Sequence, residues 1–535
     1  MRVTLLTSLF VSSATVLAAL PTVTISGGTL VGTTTTLPSA TASVNKFLGI
    51  PFAAVPTSTL RFATPQPAPT YGTIQANKWK PACMQQFTKL FDTPDPGESE
   101  DCLYLNVYVP STGSTGKAVM FWIYGGDLQY GTASMPLYDG SSFAAFQDVI
   151  VVAANYRTNI FGFPHSSEIG STQWNVGFYD QRLALQWVQS NIAAFGGDPA
   201  KVTIFGESSG ATSVDRLVTT MPNNTPFRAA IMESGTSSVT PGSASNSTDS
   251  TEWNNLASGL GCSVTPPNLG CMQKIAATNI KSAIEARYTN NGAYINYGFP
   301  PIQDGVTNLV NPEAARLAGN IAKVPVLQGT NAQEGRLFSA SFNGQNGLNL
   351  QYFVDNYIRG SNDADIVAAY PVPGTYPDQD SATAQCWTEW VYQCPASVVT
   401  ADDATAGIPA WRYYFNASFA NYGSVPGFTN RGVYHTIELP IVFGTYPSSG
   451  ATAQEIALSS YVQTAWATFA KNPDGGPDPA WPKVSTGSGG AYIGILGNSG
   501  NTFANLTVVQ STNLDARCVQ FFNSRYSQSK YGNSW

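Results

Sequence analysis

Short, nearly uninterrupted apolar runs separated by helical ones limit most strongly how this chain can fold. Residues 118–124 read AVMFWIY and residues 148–156 read DVIVVAANY. Neither alternates polar with apolar residues, so each needs cover on both faces, as in a parallel sheet flanked by helices. The stretch 179–195 then places Leu183, Leu185, Trp187, Val188 and Ile192 at mixed three- and four-residue spacing. That spacing predicts a helix with a broad apolar face, closed by Gly196 and Gly197. KVTIF (201–205), AAIMES (229–234) and VPVLQGT (324–330) read as further strands. ATSVDRLVTT (211–220) reads as a helix, and 454–470 as a long one that Pro473 stops. Strands alternating with helices predict the α/β class, with a central, mostly parallel sheet.

The 535 residues, 43% of them hydrophobic, are ample for one large core, and no internal repeat divides them. Residues 1–20 combine one basic residue, an apolar run and small residues near Ala18, the pattern of a secretory signal peptide. Residues 21–535 are then expected to form a single large domain, secreted and extracellular. No later apolar run is long enough for an integral membrane anchor. The net charge of −7, with only 11% charged residues, excludes nucleic acid as a partner. Sequons at Asn223, Asn246, Asn416 and Asn505 fit a glycosylated chain. With two histidines and no HExxH, a metal site of several histidines is not expected, nor is any cofactor.

Chemistry enters at Gly206-Glu207-Ser208-Ser209-Gly210, between a predicted strand and a predicted helix. A serine centred in GxSxG sits on a tight strand-to-helix turn, where only small flanking residues avoid a clash. Ser208 is so centred; Ser209 is flanked by Glu207 and Ala211 and is not. Ser208 is therefore the expected nucleophile. Ser209 would offer its backbone N–H to a developing oxyanion.

The segment FGESSGA resembles the nucleophile motif of the type-B carboxylesterase/lipase family, the cholinesterase-like α/β-hydrolases that include secreted fungal members. EDCLYLNVYVP (100–110), FLGIPFA, LRFATPQP, NYRTNIFGF, NVGFYDQRLALQWVQSNIAAFGGDP and GVYHTIELPIVFG are similar to other family blocks, in the same order. The resemblance covers almost the whole chain after residue 47. It implies an α/β-hydrolase catalytic domain acting on small-molecule or lipid esters.

A serine hydroxyl needs a base, and the base an orienting acid. His435 follows Ser208, as the Ser, acid, His order of such folds requires; His165 precedes it and reads as a loop histidine with a structural hydrogen bond. The resemblance places Glu334, in VLQGTNAQEGRLF, as the acid. It assigns oxyanion stabilisation to the N–H groups of Gly126 and Asp127, with Ser209 as third donor. Asp127 departs from the family's small residue, so its carboxylate should point away. Glu207 resembles the family's buried pocket carboxylate.

The intact Ser208, Glu334 and His435 argue against a non-catalytic binding protein on this scaffold. The loop between Cys83 and Cys102 offers Phe87 and Phe91 to a pocket but no tryptophan for a choline cation. Its eighteen intervening residues are too few and too polar for a large lipase lid, so short- to medium-chain esters are expected rather than the triacylglycerols of a lipase. By the same resemblance, Cys83–Cys102, Cys262–Cys271 and Cys394–Cys518 are the expected disulfides, although simple proximity would pair Cys386 with Cys394. Cys386 would be a buried free thiol.

Overall fold

The computed structural model describes residues 19–86, 97–237, 247–288, 298–343, 349–358, 363–424, 431–486, 491–497 and 505–529. A small sheet joins β1 (Thr22–Ile25), β2 (Gly28–Val31) and β5 (Thr73–Gln75). The main sheet contains β3 (Thr33–Thr35), β4 (Val44–Pro51), β6 (Tyr104–Pro110), β7 (Lys117–Ile123), β8 (Ile150–Ala154) and β9 (Gly197–Glu207). It continues with β10 (Ala229–Glu233), β11 (Val326–Asn331), β12 (Ala410–Phe415), β13 (Tyr492–Leu496) and β14 (Leu506–Gln510). Among the described residues it has eleven strands, in the order β14-β13-β12-β11-β10-β9-β7-β8-β6-β4-β3. From β8 to β13 every neighbouring pair is parallel, and the strands outside that block are antiparallel. This is the predicted α/β architecture, the α/β-hydrolase fold.

The apolar runs behave as their composition requires. Every residue of β7 and β8 is buried. Helices Val176–Asn191 and Ser209–Thr220 follow β8 and β9, and Ala453–Lys471 packs on the sheet with Trp466 buried against it. The last is fixed at its start by a capping box between Thr452 and Glu455. One boundary differs from expectation. The helix ends at Asn191, a 3₁₀ turn spans Ile192–Phe195, and Gly196 alone makes the left-handed reversal (φ 85°). Gly197 is already strand, paired with Lys117. The polar sequence GDPAK masks this first part of β9 from a hydrophobic pattern. Among the described residues no helix is long and apolar enough to cross a membrane.

Between β11 and β12 the chain leaves the sheet and builds a second core. Phe338, Phe353, Trp387 and Trp390 pack there with Phe522 and Tyr526 from beyond the last strand. The bond Cys394–Cys518 ties these parts together, and Cys83–Cys102 and Cys262–Cys271 close shorter loops. Cys386 is a free thiol in this core, and burial pushes its pKa well up.

Helix Ser209–Thr220 is locked to its surroundings by a buried ion triad. Arg316 bonds both Asp215, on that helix, and Asp403. Removing one partner of such a group strands the remaining charges in a medium that solvates them poorly. Arg316→Met is expected to lower unfolding free energy by about 3–5 kcal/mol. Urea denaturation monitored by tryptophan fluorescence measures it; a loss below about 1 kcal/mol would show that the two carboxylates are not stranded when Arg316 is removed.

Candidate active site

Strand β9 lies in the middle of the sheet and delivers Glu207 and Ser208 at its C-terminal end. Ser208 has φ 56° and ψ −125°, an arrangement that costs a non-glycine residue about 1–3 kcal/mol. Its N–H donates to the Glu233 carbonyl (2.8 Å), and its own carbonyl accepts the Thr212 N–H (2.9 Å). The flanking glycines are sterically required. A Cβ on Gly210 would lie 2.1 Å from the Ile123 carbonyl oxygen, and one on Gly206 would lie 2.7 Å from the Gly210 carbonyl carbon. The local sequence thus forces the serine onto a sharp turn.

His435 and Glu334 meet from separate loops. His435 Nδ1–H donates to Glu334 Oε2 at 2.6 Å, and Glu334 Oε1 accepts the Asn331 N–H, also at 2.6 Å. Both side chains are buried, Glu334 wholly and His435 to 3% exposure, so the pair is shielded from competing water. The Phe338 and Tyr392 rings stand 5.2 and 4.8 Å from the imidazole and restrict its rotation. On the opposite edge, His435 Nε2 faces Glu207 Oε1 at 3.1 Å without a well-formed hydrogen bond. Because Glu207 adjoins Ser208 in the chain, the imidazole and the serine turn are brought to one place.

The glycine turn after β7 reaches the same point. A Cβ on Gly125 would approach Ser208 Cβ to 3.0 Å. Gly126, Asp127 and Leu128 all have positive φ, and the Gly126 carbonyl accepts the N–H groups of Gln129 and Tyr130. Asp127 is exposed at the turn. Leu128 N–H donates to Ser209 Oγ (3.2 Å), tying this turn to the helix that follows Ser208. That use of the Ser209 hydroxyl carried no signal in the sequence.

Two further carboxyl groups, Glu233 and Glu438, went unnoticed in the sequence. With Glu207 and Glu334 they form a buried group of four. Burial first, then the Glu334 and Glu233 charges, pushes the Glu207 pKa well up. Burial and three neighbouring carboxylates do the same to Glu438, which accepts a hydrogen bond from Asn331 Nδ2. Burial raises Glu233 to about 8, against a 2.7 Å hydrogen bond from Trp466 Nε1 that opposes the rise. Like charges so close in one dry space disfavour full ionisation of the group.

His165 lies elsewhere. Its Nε2–H donates to the Pro300 carbonyl (2.6 Å), its ring stacks on Trp174, and burial lowers its pKa to about 4. Phe87, Phe91, Asn246 and the leader up to residue 18 lie outside the described residues. Asn223 is exposed, whereas Asn416 and Asn505 are half-buried.

Residues 19–507 match the profile of the Carboxylesterase family. The chain is similar to the para-nitrobenzyl esterase of Bacillus subtilis (strain 168), 34% identical over 442 residues, 80% of this chain and 86% of that protein. It is 33% identical to the fumonisin B1 esterase of Sphingopyxis macrogoltabida over 82% of this chain and 81% of that one. Against the acetylcholinesterase of Bungarus fasciatus it is 32% identical, over 83% and 78% respectively.

Proposed function

The chain belongs to the carboxylesterase family, and on that premise we propose that it is a secreted serine hydrolase of short- to medium-chain carboxylic esters. The observation that carries this reading is the 2.6 Å contact of Glu334 with His435 Nδ1, which leaves Nε2 on the edge that faces Glu207, the residue before Ser208. A carboxylate on Nδ1 fixes the tautomer in which Nε2 accepts a proton.

In this mechanism Ser208 Oγ attacks the ester carbonyl carbon while its proton passes to His435 Nε2. The carbonyl π pair moves onto oxygen, where the N–H groups of Gly126, Asp127 and Ser209 receive it. Collapse breaks the carbon–oxygen bond to the leaving group, and His435 returns the proton to the departing alcohol. Water repeats the sequence on the acyl-serine and releases the acid. The exposure of Asp127 is compatible with its use as an amide donor, since water screens its carboxylate.

Residues 21–535 serve as one catalytic domain. The leader-like first twenty residues, the sequons and three disulfides support secretion, because disulfides persist in oxidising compartments. The short Cys83–Cys102 loop supports the chain-length preference.

Mass mapping after treatment with a serine-directed organophosphate should place the adduct on Ser208. Modification elsewhere, or none, would refute the nucleophile. For chain length, tributyrin is expected to be hydrolysed without a jump at its solubility limit, and triolein slowly. A sharp rise above that limit with good triolein turnover would make the protein a triacylglycerol lipase.

A further inference from the structure

Three braces hold the peptide that carries Glu334. Two come from the His435 loop. Gln333 N–H donates to the Val433 carbonyl and Val433 N–H to Gln333 Oε1, each at 2.9 Å. Asn331 Nδ2 donates to the Tyr434 carbonyl (3.1 Å). The third comes from the inserted helices. Gly335 N–H, the first amide after Glu334, donates to Thr388 Oγ1 (2.9 Å), and that hydroxyl donates onward to the Ala384 carbonyl (2.8 Å). Thr388 is fully buried.

The surroundings make this hydroxyl more than a local bond. Thr388 opens the π-helical segment Thr388–Gln393, in which the regular helical hydrogen-bond pattern is broken. Tyr392 of the same segment lies against the imidazole. A Cβ on Gly335 would lie 2.1 Å from the Ala384 carbonyl oxygen, so the two backbones touch. One short segment therefore bears on the acid through Thr388 and on the histidine through Tyr392.

We propose that Thr388 is a positioning residue for the Glu334–His435 pair, its hydroxyl setting the Glu334–Gly335 peptide and through it the carboxylate. This rests on the reading of Ser208, Glu334 and His435 as the reacting triad. A buried N–H needs an acceptor. Without Oγ1 the Gly335 peptide turns to find another, and the carboxylate moves with it. Misplacement by about 1 Å can cost a rate about a hundredfold.

Thr388→Val keeps the shape and removes the hydroxyl; Thr388→Ser keeps the hydroxyl and removes the methyl. Active sites are first counted by organophosphate titration, and single-turnover acylation by p-nitrophenyl butyrate is then measured well below each protein's Tm. Thr388→Val is expected to acylate about 10–100-fold more slowly, with KM within about twofold of wild type, and Thr388→Ser to recover most of the loss. Wild-type rates in Thr388→Val, or equal losses in both variants, would overturn the proposal. Should Thr388→Val not fold, Thr388→Ala gives the same comparison with Thr388→Ser. Wild-type protein left unlabelled at Ser208 would instead refute the triad reading, whatever Thr388 does.

Discussion

Purified Ser208→Ala protein is expected to lose about 10⁶-fold in kcat on p-nitrophenyl acetate while keeping the wild-type circular dichroism spectrum. The loss is this large because no other hydroxyl can replace the one held on the turn. Ser209 is next in sequence, but its Oγ accepts the Leu128 N–H and lies on the first residue of the helix. Ser209→Ala keeps the backbone amide proposed for the oxyanion and loses only neutral hydrogen bonds of its hydroxyl, each worth about 1 kcal/mol. It is therefore expected to retain activity within about tenfold of wild type. A Ser208→Ala enzyme turning over near the wild-type rate, or a Ser209→Ala enzyme silent at the level expected of Ser208→Ala, would reverse the assignment.

The second large effect separates two carboxyl groups on the same imidazole. Glu334→Gln is expected to lower kcat by about 10³–10⁴-fold, because an amide can donate to Nδ1 and hold the wrong tautomer. Glu207 is as close in the chain to Ser208 as a residue can be, yet Glu207→Gln is expected to cost less than about tenfold. The reason is electrostatic. Burial and the neighbouring carboxylates drive the Glu207 pKa well up, which favours the neutral form that glutamine mimics in shape. Steady-state kinetics of both variants at pH 7.5 decide between them. Equal losses, or a greater one for Glu207→Gln, would make Glu207 the orienting group.

Much of the sheet's middle was legible because strands covered on both faces carry their burial in composition: β7, β8 and β10 are dense apolar runs. The outer strands were not. β3 reads only TTT and β14 is largely half-exposed, so little in either separates a strand from a loop. The Ser208 turn was legible because crowding at Gly206 and Gly210 leaves a local signature. The support for Glu334 was not, because Gln333, Asn331 and Thr388 are ordinary polar residues whose partners lie 53 to 103 positions away. Clustering of Glu207, Glu233, Glu334 and Glu438 was hidden for the same reason. Nothing local marks a charge whose neighbours arrive from other strands.

The tie between the inserted helices and the segment beyond β14 sets an order in biosynthesis. Cys518 bonds Cys394 across 124 positions, Arg517 pairs with Glu389, and Asp515 accepts hydrogen bonds from Gln393 and Arg412. All three reach the stretch that presses on the histidine and its acid, and all follow the last strand in sequence. A ribosome therefore releases Ser208, Glu334 and His435 before it has made the residues that brace two of them. The covalent part of that brace also waits for an oxidant. On the secretory reading, the covalent tie closes only in an oxidising compartment, and until then the segment that lies against the imidazole is held to the end of the chain by non-covalent contacts alone.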